Sequence, residues 1–172
     1  YLGHRNTVGE NMRYLVRDRQ GRPVACLLFG SAAWKCADRD AFIGWDRSGR
    51  ERNLSLLTNN TRFLIPPWVE VPYLASHVLS LVARRIRADW QSKYGYPVHA
   101  LETFVDCSRF KGTCYRAANW LCVGATRGRT RNDWQRNIQV PVKDIYLYPL
   151  VADFRKVLCA DSCKRAEGRQ RR

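Results

Sequence analysis

Apolar residues change their spacing several times along this chain, and each change marks an element. In residues 13–17 (RYLVR) and 23–29 (PVACLLF), β-forming apolar residues flank Asp18-Arg19-Gln20-Gly21, which predicts a hairpin around a glycine-containing turn. Residues 31–52 lose that pattern. Their aromatic and charged run, WKCADRDAFIGWDRSGRERN, predicts a short helix and loop covering one edge of a sheet. Residues 53–65 (NLSLLTNNTRFLI) read as a third strand, ended by Pro66-Pro67 because proline has no N–H to give a ladder.

The spacing then lengthens. Leu74, Ala75, Val78, Leu79, Val82 and Ile86 recur three or four apart, which predicts a helix over 72–93 with one buried face. Pro72 suits its first turn and Gly95 its stop. Residues 97–105 (PVHALETFV) read as a fourth strand, 112–119 as a short helix, 121–125 as a fifth strand and 143–150 (KDIYLYPL) as a sixth. The order β-β-(irregular)-β-α-β-α-β-β predicts an α/β domain over 1–152 built on a mixed sheet. Residues 153–172 read as a short helix fading into a basic C-terminal tail.

Composition narrows what such a domain does. The chain has 172 residues, enough for one core, and no run approaches the roughly 18 to 20 apolar residues of a membrane span. Its start, YLGHRNTVGEN, reads as trimmed from a longer polypeptide. Thirty Lys+Arg against fifteen Asp+Glu give a formal net charge of +15, a field that gathers polyanions and points to nucleic acid as a partner. The excess is uneven: Arg127, Arg129, Arg131 and Arg136 stand around Trp134, and Arg169, Arg171 and Arg172 close the tail. Guanidinium forks beside one indole suit phosphate contacts with a stacking anchor; the plainer alternative is a solvated loop. Seven cysteines, an odd number among mostly apolar neighbours, suit a reducing cytoplasm better than a disulfide framework. The histidines have no ligand spacing, so no metal site is expected.

Several residues carry candidate chemistry, each beside a structural alternative. Glu102 lies on a strand predicted to be buried, so it is either a general base with a raised pKa or half of an ion pair; Asp106 lies just beyond it. Cys114 starts a short helix, where N–H groups favour a thiolate nucleophile, or it is a small packed thiol. Arg39, Asp40 and Trp45 either line a ligand pocket or form an ion pair under an aromatic lid. Asn59 and Asn60 place two amides in an apolar strand, which implies a bulge or a grip on a ligand.

The element order, with a long helix after the third clear strand, resembles the N-acetyltransferase fold called GNAT. Tyr115-Arg-Ala-Ala-Asn119-Trp120 followed by Val123-Gly124 is similar to that family's Tyr-x-x-x-Gly-Phe at the end of its last helix. The resemblance implies a mostly antiparallel sheet, with a short tyrosine-bearing helix before the C-terminal strands. It also implies Tyr115 as general acid toward a leaving thiolate, and acyl-CoA held at Leu74, Ala75 and Ser76 where the long helix starts. The family's glycine-rich pyrophosphate motif is absent here: residues 68–76 hold no glycine, and Glu70 and Pro72 stand in its place.

Across nearly its whole length the chain is closer to another group. Val8-Gly9-Glu10-Asn11, Ile43-Gly44-Trp45, Asn59-Asn60-x-Arg62-Phe63-Leu64-Ile65, Glu102-Thr103-Phe104-Val105-Asp106, Gly112-Thr113-Cys114-Tyr115 and Lys143-Asp144-Ile145 together resemble the DruA-like family. That family takes its name from the Druantia anti-phage system and also lies beside transposase modules. The resemblance implies work on or beside nucleic acid in defence or mobile-element biology, with other defence or transposase modules as partners. An acyl- or aminoacyl-transferase and an inactive adaptor are the alternatives. It also implies a further segment ahead of Tyr1.

Overall fold

The computed structural model describes residues 9–128 and 141–161. The first alternating runs form β1 (Met12–Arg17) and β2 (Pro23–Ser31), an antiparallel hairpin. Asp18 closes its turn by accepting from the N–H groups of Gln20 and Arg22, each at 2.9 Å, while Gly21 adopts a positive φ of 81°.

Residues 31–52, expected to give one short helix and a loop, give two helices: α1 (Ala37–Ile43) and α2 (Arg47–Asn53). Gly44 in the left-handed region stops the first, and Asp46 caps the second by accepting from the Gly49 N–H at 2.6 Å. The third strand therefore starts later than its apolar run suggests. Asn53 ends α2, a 3-10 turn covers Leu54–Leu56, and β3 spans Leu57–Leu64. Leucines at 54, 56 and 57 suit a helical turn as well as a strand, and the Asn53 amide decides between them: it donates to the carbonyls of Leu158 and Ala160 at 2.9 and 3.0 Å.

The long helix α3 (Leu74–Tyr94) buries Val78, Leu79, Val82, Ala83, Ile86 and Trp90, and Gly95 ends it in the left-handed region. Full burial of a side chain such as Ile86 contributes about 1.5–3 kcal/mol. After it come β4 (Ala100–Asp106), α4 (Thr113–Ala117), β5 (Leu121–Ala125), β6 (Lys143–Pro149) and α5 (Phe154–Leu158).

The strands form one sheet in the order β1-β2-β3-β4-β6-β5, antiparallel throughout except between β3 and β4, which α3 connects. This is the mixed sheet that the element order predicts, mostly antiparallel as the GNAT resemblance implies. On one face, α3 and α4 cover a core that includes Phe29, Ile86, Leu101 and Tyr146. On the other, Ile43, Trp45, Leu57, Leu147, Phe154 and Leu158 form a second cluster. Leu158 is fully buried, and its carbonyl accepts from the Trp45 indole at 2.6 Å. Among the described residues no helix is long and apolar enough to cross a membrane.

Candidate functional site at the parting of two strands

The parallel strands β3 and β4 stay paired for three steps only: Leu57 with Ala100, Thr58 with Leu101, and Asn59 with Glu102. Beyond that point they part. A bulge in β3 accompanies the parting, because Phe29 faces Asn60 while Leu28 faces Arg62, leaving Thr61 as the extra residue. The Thr103 hydroxyl crosses the first step of the gap to the Asn60 carbonyl at 3.0 Å.

Asn60 fills the bulge. Its Nδ2 donates to the carbonyls of Leu28 at 3.2 Å and Arg62 at 2.9 Å, and its Oδ1 accepts from the Tyr115 hydroxyl at 2.8 Å. Tyr115 arrives on α4, whose start requires Gly112: φ is 65°, and a Cβ there would overlap the Tyr146 hydroxyl and ring edge. The Tyr115 ring stacks on Tyr146 at 5.8 Å and meets Trp120 in a T-shape at 5.1 Å. Burial raises the Tyr115 phenol well above its ordinary value, so it remains a protonated donor across physiological pH.

On the other face of the gap lies an open cleft of about 450 Å³, lined among others by Asn59, Asn60, Thr61, Phe104, Lys143 and Gly128. Tyr115 does not line it and reaches it through Asn60. The Asn59 amide has no hydrogen-bond partner among the described residues, and the half-buried Phe104 forms part of the wall. Lys143 pairs in register with Asp106. Gly128 is part of the lining, and the exposed Arg127 precedes it.

Glu102, Arg39 and Asp40 belong to one buried network. Glu102 accepts from Arg39 Nη1 and from the Ala33 N–H, both at 2.6 Å. Arg39 also donates to Asp40 at 2.6 Å and to the Ala33 carbonyl at 2.8 Å, and Arg50 reaches Asp40 at 3.1 Å. Burial pushes the Glu102 carboxyl up, and the Arg39 guanidinium pulls it back. With a donor on each oxygen, Glu102 is the ion-pair partner that fastens the segment before α1 to β4. Trp45 is committed too, its buried indole bonded to Leu158 and its ring 5.4 Å from the Arg39 guanidinium.

The remaining sequence candidates lie apart from the cleft or at its edge. Cys114 is half-buried, and burial raises its thiol, the opposite of what a nucleophilic thiolate needs. Asp106 accepts from the Ser108 N–H at 3.0 Å and hydroxyl at 2.6 Å, and the hydroxyl bond leads in lowering its pKa. Leu74, Ala75 and Ser76 form the first turn of α3 behind Tyr73, which adopts φ 58°; the Ser76 hydroxyl turns back to the Tyr73 carbonyl at 3.0 Å. Arg129, Arg131, Trp134, Arg136, Arg169, Arg171 and Arg172 lie outside the described residues. Sequence reasoning did not offer Thr61 or Lys143 as pocket residues, because their placement depends on strand register across the gap. Among the described residues no three His, Cys, Asp or Glu side chains converge to hold a metal ion.

The model of the family described as Druantia protein DruA matches residues 1–138. Among solved structures, a spermidine N-acetyltransferase from Vibrio cholerae in a dodecameric intermediate state is 9% identical with a TM-score of 0.52, covering 81% of this chain and 65% of that one. A point mutant of the Vibrio cholerae enzyme gives a TM-score of 0.54 at 9% identity, covering 84% and 68%. The complex of that enzyme with CoA and spermine gives 0.52 at 9% identity, covering 81% and 66%. At such identity the likeness shows the GNAT-like fold alone. No curated protein matches the chain.

Proposed function

The chain belongs to the DruA family, and from that premise we propose that it is a GNAT-fold domain acting on or beside nucleic acid in anti-phage defence or mobile-element biology. The observation that carries this reading is the cleft between β3 and β4, with Lys143 and Gly128 in its lining and the exposed Arg127 beside Gly128. Phe104 offers a wall for a planar group, and the Asn59 amide, without a hydrogen-bond partner among the described residues, offers a donor and an acceptor at its edge. Lys143 and Arg127 bring positive charge to the rim of a protein whose net charge is +15. That set suits one nucleotide unit of a longer polyanion.

Fluorescence anisotropy with labelled single- and double-stranded DNA and RNA tests it. Binding is expected to fall steeply between about 50 and 200 mM salt, and Phe104→Ala to weaken it about 5- to 150-fold, the worth of one stacked base. Binding that ignored salt, or an unaffected Phe104→Ala variant, would sink the reading.

A second reading, acyl- or aminoacyl-transfer with Tyr115 as acid, is favoured by one observation: its hydroxyl lies at the parting of the strands, bonded to Asn60. The glycine-free start of α3 counts against CoA as donor. A thermal shift with acyl-CoA, and loss of turnover in a folded Tyr115→Phe variant, would support it. An inactive adaptor gives neither response.

A further inference from the structure

Among the described residues, the face of the sheet that carries α1, α2 and α5 is only half covered. Those helices pack on the start of β3 and on β4, β6 and β5, leaving the β1–β2–β3 portion beyond Asn59 without a helix among the described residues. Register identifies what is left there. Leu15, Cys26 and Leu64 stand side by side on three adjacent strands, and Arg13, Leu28 and Arg62 form the neighbouring row. Leu15 and Leu64 are each 55% exposed, and the Cys26 thiol is free and exposed. Neither Arg13 nor Arg62 has an ion-pair partner among the described residues. Arg17, at the end of β1, spends one N–H on the Gly21 carbonyl at 2.7 Å.

We infer that this uncovered face docks an amphipathic helix of another polypeptide, apolar along one side and flanked by carboxylates. Neighbouring strands are about 4.8 Å apart, so the Leu15–Cys26–Leu64 row spans about 10 Å, the width of one helix. A helix laid there would complete the layer that α1, α2 and α5 begin on the adjacent strands. The guanidinium groups of Arg13 and Arg62, without an ion-pair partner among the described residues, select for acidic flanks. Charge also argues against other occupants: the chain's own C-terminal residues are strongly basic, and a second copy docked through the same face would bring arginine against arginine. Neither row contains an aromatic ring on which a nucleic-acid base would stack.

The test uses the full chain and a fluorescent designed peptide of about 18 residues, with a leucine stripe flanked by glutamates, against a twin carrying lysines instead. The glutamate peptide is expected to bind, the lysine twin to fail, and Leu15→Ser/Leu64→Ser to weaken binding about tenfold or more. Arg13→Glu/Arg62→Glu should reverse the preference. A second measurement does not depend on any variant folding: the glutamate peptide should slow alkylation of Cys26, followed by mass spectrometry. Equal binding of both peptides, unchanged Cys26 alkylation, or insensitivity to the leucine changes would overturn the proposal. So would self-association lost in the Leu15→Ser/Leu64→Ser variant, which assigns the face to a second copy. Displacement of the peptide by single-stranded DNA that depends on Arg13 and Arg62 but not on the leucines would overturn it too, and assign the face to nucleic acid.

Discussion

The Tyr115 hydroxyl donates to the Asn60 Oδ1 at 2.8 Å, and this bond ties the short helix α4 to the bulge at which β3 leaves β4. Asn60 meanwhile satisfies two carbonyls of the bulged pair, so the phenol holds in place the amide that shapes the gap.

Tyr115→Phe removes one hydrogen bond and leaves a buried acceptor, and we expect a loss of about 0.5–1.5 kcal/mol with the fold intact. Asn60→Ala strips partners from the Leu28 and Arg62 carbonyls and from the phenol, and should cost about 2–4 kcal/mol. Urea denaturation of both variants and their combination checks this. The two losses should fail to add, because the residues share one bond.

Arg39→Leu leaves Glu102 and Asp40 buried without their main counter-charge, and should cost about 3–5 kcal/mol in denaturant unfolding. Arg39→Leu/Glu102→Leu should cost less than the sum of the single changes, since the uncompensated Glu102 charge disappears with its partner. A strictly additive result would mean the pair is not coupled.

Gly112 and Gly124 face a different constraint. A Cβ at Gly112 overlaps Tyr146, and one at Gly124, where φ is 148°, overlaps the Asp38 side chain. Each Gly→Ala change combines a disfavoured φ with overpacking, and should destabilise by about 2–4 kcal/mol. Gly21→Ala, with open space around it, should cost only the φ penalty, of about 1–2 kcal/mol. Midpoints of thermal unfolding rank the three.

Burial, with Arg87 adding to it, lowers the pKa of His99 below its ordinary value of about 6.5. The unfolded chain therefore binds a proton at His99 at a higher pH than the folded chain does. Stability from this group is present above about pH 6.5 and is lost as pH falls from there toward the folded pKa. His99→Gln should flatten that part of the profile when unfolding free energy is measured from about pH 5 to 7.5.

Local patterns in this chain are strong enough to name most elements. Apolar spacing gives α3 to within two residues at its start and one at its end, because a 21-residue helix repeats its signal several times. The blocks around Asn59, Glu102 and Tyr115 give the family. The same patterns misjudge residues 31–57, where a capping Asp46 and an Asn53 amide bonded to carbonyls more than a hundred residues away decide helix against strand.

The sequence alone therefore determined the order of the strands and the long helix, the fold class, the family and the positive charge, since each rests on local patterns or on their sum. Tertiary structure decided which contacts each candidate makes. Glu102 became an ion-pair partner because the chain's path carries Arg39 to it across 63 positions. Asn60 turned to Tyr115 while its neighbour Asn59 was left to the cleft, because a strand alternates its side chains between faces and only the sheet register says which face is which. The uncovered row of Leu15, Cys26 and Leu64 is another product of register, drawing on three strands that no local pattern connects.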